Sequence, residues 1–164
     1  MRHPEITAYR PCVGIMLLNS KGEAWIGRRF EKQNDDGIGK WWQMPQGGVD
    51  AGEDLLAAAK RELYEETGVT SVSLLAQSKD WHTYDLPEHL IGKSWNGKYR
   101  GQKQMWFVFC FEGDTAEITL KVPGQKQEFD DWRWAKRDEV LDLIIPFKRE
   151  VYVSVLKEFQ SLGA

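Results

Sequence analysis

The segment GGVDAGEDLLAAAKRELYEETGV, Gly47 to Val69, decides the fold. It opens in a glycine-rich loop, ends at Gly68, and gathers Glu53, Arg61, Glu62, Glu65 and Glu66 in between. An α-helix turns by about 100° per residue. Relative to Glu62, Glu65 then lies about 60° to one side and Glu66 about 40° to the other. Three carboxylates share one narrow stripe. Like charges at that spacing destabilise a bare helix, and a hard divalent cation, which prefers oxygen ligands, removes the conflict. The spacing predicts a magnesium site of the kind that serves phosphate chemistry. Leu56, Ala59 and Leu63 fall together on another side, so one face buries while the other holds metal. Glu53 and Asp54 sit at the amino end, where the helix dipole favours negative charge. Gly68 suits the left-handed position after the last turn. Arg61 points off the centre of the stripe and is placed to pair with Glu53, fixing the loop onto the helix.

Upstream, Val13 to Leu18 reads as a buried strand, Asn19 to Gly22 as a turn, and Ala24 to Arg28 as a returning strand. Glu31 to Lys40 is polar and predicts an exposed loop. Trp42 to Met44 predicts a brief strand stopped by Pro45, with Gln46 to Gly48 leading into the loop before the helix. Downstream, Val72 to Ser78 is strand-like. Trp81 to Lys103 reads as a long irregular stretch, and loops of that length are usually functional. Met105 to Phe111 predicts a central strand, Glu117 to Leu120 a short edge strand, and Phe129 to Trp134 an alternating strand. Lys136 to Leu143 predicts a short helix. Phe147, Val151, Val155 and Phe159 recur at four-residue spacing, which predicts a terminal amphipathic helix. Mixed strands with a few helices make an α/β sandwich of one domain.

The chain has 164 residues, 41% of them hydrophobic, with a net charge of −3. That is enough for a real core, and the acidic balance excludes a long nucleic-acid footprint. It leaves room for gripping one phosphorylated end with local cations. Cys12 and Cys110 lie in apolar runs and read as buried thiols rather than a disulfide. No leader or membrane-length apolar run is present, so a soluble cytoplasmic protein is expected. Eight tryptophans and five tyrosines predict a core rich in aromatics, some of them available to stack on bases.

The helical segment fits G-x5-E-x7-R-E-U-x-E-E-x-G-U, U being aliphatic, at Gly47, Glu53, Arg61, Glu62, Leu63, Glu65, Glu66, Gly68 and Val69. This is the signature of the Nudix hydrolases. The chain also carries YRPCVGI (Tyr9 to Ile15), RRF (Arg28 to Phe30), WQMPQGG (Trp42 to Gly48), GQKQMWF (Gly101 to Phe107), EFDDWRW (Glu128 to Trp134) and FKREVY (Phe147 to Tyr152). With these blocks it resembles one Nudix branch, the RNA pyrophosphohydrolases and dinucleoside polyphosphate (diadenosine tetraphosphate) hydrolases, from about Tyr9 to Phe159.

That resemblance implies a Nudix fold, an α-β-α sandwich with a mixed central sheet, as a single domain over residues 1–164. It implies a hydrolase that needs Mg²⁺ or Mn²⁺ and acts on 5′-triphosphorylated RNA or a dinucleoside polyphosphate, with no membrane and no stable protein partner. Glu62, Glu65 and Glu66 are the expected catalytic and metal-binding acids, joined by Glu128 and the Gly47 carbonyl. Glu53 and Arg61 support them. Tyr84 and Phe147 match aromatics that sandwich the nucleobase. Arg10, Arg29, Lys103 and Lys148 match cations along the phosphate path. Lys93, Lys98 and Arg100, among Trp95 and Tyr99, make a basic segment fit for a lid. The stretch Glu31 to Trp41 departs from the branch in length, so roles carried there by relatives do not transfer. Two alternatives stand beside this reading: a nucleoside triphosphate sanitiser of the same family, and a nucleotide or RNA-end binding module without turnover.

Overall fold

The computed structural model describes residues 8–29, 41–91 and 98–162. Along the chain the elements are β1 (Tyr9–Leu18), β2 (Ala24–Arg29), β3 (Trp42–Gln43), β4 (Gln46–Gly48), α1 (Leu55–Thr67), β5 (Val72–Gln77), β6 (His82–Asp85), β7 (Gly101–Phe111), β8 (Phe129–Ala135), α2 (Arg137–Leu143) and α3 (Arg149–Glu158). The strands join one eight-stranded sheet whose path runs β3-β2-β1-β7-β5. β1 and β7 are parallel and in register from Tyr9 with Gly101 to Leu18 with Cys110. The other pairings are antiparallel, so the sheet is mixed.

Continuous apolar runs are what a strand covered on both faces requires, and β1 and β7 supply them. Val13, Ile15, Leu17, Met105, Phe107 and Phe109 point to one face, where Ala58, Ala59 and Leu63 of α1 pack on them. Met16, Leu18, Trp106 and Val108 point to the other, against Val140 of α2 and Val151, Tyr152 and Val155 of α3. The result is the helix-sheet-helix sandwich with a mixed centre that the sequence implied.

α1 begins where the Asp54 carboxylate accepts from the Ala57 N–H at 3.0 Å. It ends where Gly68 takes φ 76° and its N–H donates to the Tyr64 carbonyl. A glycine meets that positive φ without strain.

Several boundaries differ from the sequence reading. Gln46 to Gly48 is strand β4, paired with Cys12 to Gly14 of β1, rather than a lead-in loop. Met44 lies beyond β3. Part of the stretch expected to be irregular is ordered: β6 pairs with the start of β7, Tyr84 opposite Gln102. Lys103 therefore belongs to a strand that starts at Gly101. The expected strand from Glu117 to Leu120 does not form; Thr115–Glu117 is a short 3₁₀ turn. There the Asp114 carboxylate accepts from Ala116 N–H, and the Glu117 carboxylate accepts from the N–H groups of Thr70 and Ser71. Such side-chain bonds to backbone displace a ladder. The last helix starts at Arg149, and Phe147 sits in the 3₁₀ turn before it. Both cysteines are free, Cys12 buried and Cys110 only half-buried. The loop expected over Glu31 to Lys40, and Lys93 and Trp95 of the basic segment, lie outside the described residues. Among those described, no helix is long and apolar enough to cross a membrane.

The Met44 N–H donates to the buried Tyr152 hydroxyl at 3.0 Å, tying the turn before β4 to α3. Tyr152→Phe leaves that N–H without its partner. Urea unfolding is expected to show a loss of about 1–3 kcal/mol, the cost of one orphaned buried donor.

Candidate active site

An open cleft of about 550 Å³ lies where α1, β4 and the starts of β1 and β7 meet. Its acidic wall is α1, which contributes Glu62, Glu65 and Glu66, with Gly47 of β4 beside them. β4 approaches so closely that a Cβ on Gly47 would fall on the Glu62 carboxylate. The Gln46 N–H reaches the Glu66 carboxylate at 3.4 Å.

Arg61 organises this wall. Its Nε and Nη2 donate to both oxygens of Glu53, at 2.8 and 2.9 Å. Nη2 also donates to the Gly48 carbonyl at 2.9 Å. Nη1 donates to Glu62 at 2.9 Å and more loosely to Glu65 at 3.4 Å. The sequence expectation that Arg61 pairs with Glu53 holds. The expectation that it points away from the acids does not, because its Nη1 turns into them. The Arg61 bonds hold the Glu53 carboxyl down at about 2, helped by the Asp50 N–H.

The acids themselves move the other way. Burial, only partly offset by Arg61, pushes the Glu62 carboxyl up to about 7. Burial, with the charges of Glu62 and Glu128 nearby, pushes Glu66 well above the usual carboxylate range. Ionising Glu62 without a further cation therefore costs on the order of 3 kcal/mol. Among the described residues no three acidic, histidine or cysteine side chains are gathered tightly enough to hold a metal ion as they stand. The donor set nevertheless suits a hard divalent cation: it is all oxygen, three carboxylates crowded on one side of α1 with the Gly47 backbone beside them.

The rest of the lining is mostly basic and aromatic. Arg10, Arg29, Lys148, Tyr84 and Phe147 all line the cleft, as does Glu128. Arg29 Nη2 stands 3.9 Å from Glu128. Lys148 is buried, with Nζ 5.8 Å from the centre of the Tyr84 ring and 3.4 Å from Gln43 Oε1. Burial and the Arg29 charge push its ammonium down to about 7.

Three expectations meet a different geometry. Lys103 is not in the cleft. Alternation along β7 turns it from the face of Gln102 and Gln104, and its Nζ lies 4.6 Å from the Trp81 ring centre. Tyr84 and Phe147 both line the cleft but rest on each other, with centroids 5.8 Å apart and planes tilted by 40°. Arg100, expected in a lid, pairs with Asp85 at 2.9 Å. The sequence reading also passed over Gln43, Gln46 and Gln102, which line the cleft. Period-two alternation from Gly101 onwards would have separated Gln102 from Lys103.

The NUDIX domain family model matches residues 8–155. The chain belongs to the Nudix family, whose hydrolases generally use divalent metals. It is 54% identical to the RNA pyrophosphohydrolase of Brucella ovis, over all of this chain and 94% of that one. It is 52% identical to the RNA pyrophosphohydrolase of Mesorhizobium japonicum, over 97% of this chain and 94% of that one. Among solved structures, a MutT protein from Methanosarcina mazei matches with a TM-score of 0.62 at 22% identity, over 94% and 98% of the two chains. A C. elegans Ap4A hydrolase matches with a TM-score of 0.63 at 15% identity, over 93% and 99%. At such identities these two matches speak for the fold alone.

The raised carboxyl of Glu62 sets a pH dependence. Folding favours its protonated form, so its contribution to stability is lost as pH rises from the unfolded value near 4.5 through about 7. In the metal-free protein, Glu62→Gln is expected to gain up to about 3 kcal/mol relative to the parent between about pH 5 and pH 8. Denaturant titrations of both proteins in chelator, at each pH, check this.

Proposed function

We propose that this protein is an RNA 5′-pyrophosphohydrolase, which converts a triphosphate end to a monophosphate and releases pyrophosphate in the cytoplasm. The observation that carries this reading is a shared lining: the crowded carboxylates of α1 and the cations Arg10, Arg29 and Lys148 line one cleft. The names of the relatives at 52 and 54% identity support the choice of substrate.

Glu62, Glu65 and Glu66, with Glu128 and the Gly47 carbonyl, would hold Mg²⁺ or Mn²⁺. Bound there, the ion neutralises phosphate oxygens and lowers the pKa of a water. Arg10 and Arg29 hold the phosphate chain, each guanidinium offering two donors to its oxygens. Lys148, whose ammonium burial and the Arg29 charge push down to about 7, takes its full charge when an anion enters beside it. Tyr84 and Phe147 part to take the first base between them. One carboxylate of the α1 stripe accepts the proton of the attacking water. Arg61 and Glu53 touch no substrate; they hold the loop and the stripe in position.

A dinucleoside polyphosphate offers the same phosphate chain, and the open cleft leaves its far nucleotide room, so that activity is a second reading of the same site. A sanitiser of monomeric triphosphates presents the same triphosphate chain but nothing beyond the first nucleoside, and a non-catalytic binder leaves the acids without a task.

The test is release of pyrophosphate from a 5′-triphosphorylated oligonucleotide, with diadenosine tetraphosphate as competitor. Chelation of divalent metal should abolish turnover and readdition of Mg²⁺ or Mn²⁺ restore it. Glu66→Gln should lower kcat by about 100-fold or more, the scale of a lost general base or charge stabiliser. Unchanged turnover in that variant, or in chelator, would remove the proposal.

A further inference from the structure

The floor of the cleft is a set of cross-strand rows on one face of the sheet. Arg10 of β1, Gln102 of β7 and Tyr84 of β6 are register neighbours. One row deeper come Cys12, Gln104 and His82, and below them Gly14 and Trp106. A Cβ on Gly14 would collide with the Trp106 indole, so glycine there lets the ring lie against β1.

Trp106, Gln104 and Gln102 form a one-way relay. An indole N–H only donates. Trp106 Nε1 donates to Gln104 Oε1 at 2.9 Å, so Gln104 must present its Nε2 on the other side. That nitrogen donates to Gln102 Oε1 at 2.8 Å and reaches Gln46 Oε1 at 3.4 Å. Gln46 Nε2 also points at Gln102 Oε1, at 3.4 Å. The Gln102 carbonyl is thus turned inward by two donors, and its amide N–H₂ is left facing the cleft that Gln102 lines.

We propose that Gln104 is a positioning residue which, anchored by Trp106, locks Gln102 with its amide donors toward the cleft, making Gln102 a specificity contact for a phosphate oxygen beside Arg10. Ionised phosphate oxygens accept and do not donate, so a flipped Gln102 would set carbonyl oxygen against them. Neighbouring strands lie about 4.8 Å apart, close enough for one phosphate group to meet both side chains. The inference rests on the proposed hydrolysis of phosphate chains and adds how the cleft tells an acceptor from a donor.

The test uses Gln104→Glu and Gln102→Met in the full protein, with KM and kcat measured on triphosphorylated RNA and inhibition by inorganic tripolyphosphate. A neutral carboxyl at position 104 can accept from Trp106 and donate to Gln102, whereas an ionised one only accepts. The KM of Gln104→Glu should therefore be near that of the parent at low pH and rise about tenfold as the new carboxyl ionises, with kcat within about threefold. Tripolyphosphate inhibition should weaken in step. Gln102→Met should raise KM by a similar factor at every pH, and adding Gln104→Glu to it should raise KM no further. A KM that ignores pH in Gln104→Glu, an unchanged KM in Gln102→Met, or additive effects in the double variant would each overturn the relay. If the parent does not hydrolyse RNA, the proposed function fails instead, and calorimetric binding of tripolyphosphate to the same variants still judges the relay.

Discussion

The whole site depends on one guanidinium. Arg61 is the point where the loop after β4, the backbone of β4 and the acids of α1 are tied together, through Glu53, the Gly48 carbonyl and Glu62. An exposed ion pair contributes little to stability, but the role of this one is placement. The planar fork addresses several acceptors in one plane and holds each at a set distance. It also leaves the stripe under-neutralised. One positive charge is shared among Glu53, Glu62 and Glu65, and Glu66 is left to burial. That deficit is what gives the cleft its appetite for further cations.

The two walls carry opposite strains. The carboxyls of Glu62 and Glu66 are pushed up and the ammonium of Lys148 is pushed down, so burial works against charge of both signs in one cleft. Under the proposed function, a cation beside the acids and a phosphate beside Lys148 would restore charge to each. Ligand binding and proton exchange are therefore linked, and binding should release protons from one wall while the other takes them up.

Much of this was legible before the fold was known, for physical reasons that differ by element. The helix Leu55–Thr67 announced itself through its caps at Asp54 and Gly68 and the stripe between them. β1 and the later part of β7 were plain because buried strands read as apolar runs. The polar start of β7 was not, since Gly101 to Gln104 carries no hydrophobic signal; the resemblance named Lys103 there, and only the strand's alternation shows that Gln102 shares the cleft's face. β4 was missed because its strand character lies in backbone pairing with β1, which three short residues do not advertise. The reach of Arg61 into the acids was hidden because a long side chain's direction is set by its acceptors, here a carbonyl on another element. The mutual packing of Tyr84 and Phe147 joins residues far apart in sequence and had no local sign at all.

The parallel contact between β1 and β7 has a consequence for biogenesis. A parallel pair needs a crossover, and here nearly the entire intervening chain serves as one, so the middle of the sheet joins the first strand to one from the second half of the polypeptide. Long-range pairings of this kind form late and slowly. During synthesis the acidic helix emerges well before the strand bearing Gln102, and Glu128, Phe147 and Lys148 emerge later still. A nascent chain that has released only the helix therefore carries the acids of α1 without the cations and aromatics that share their cleft in the folded protein.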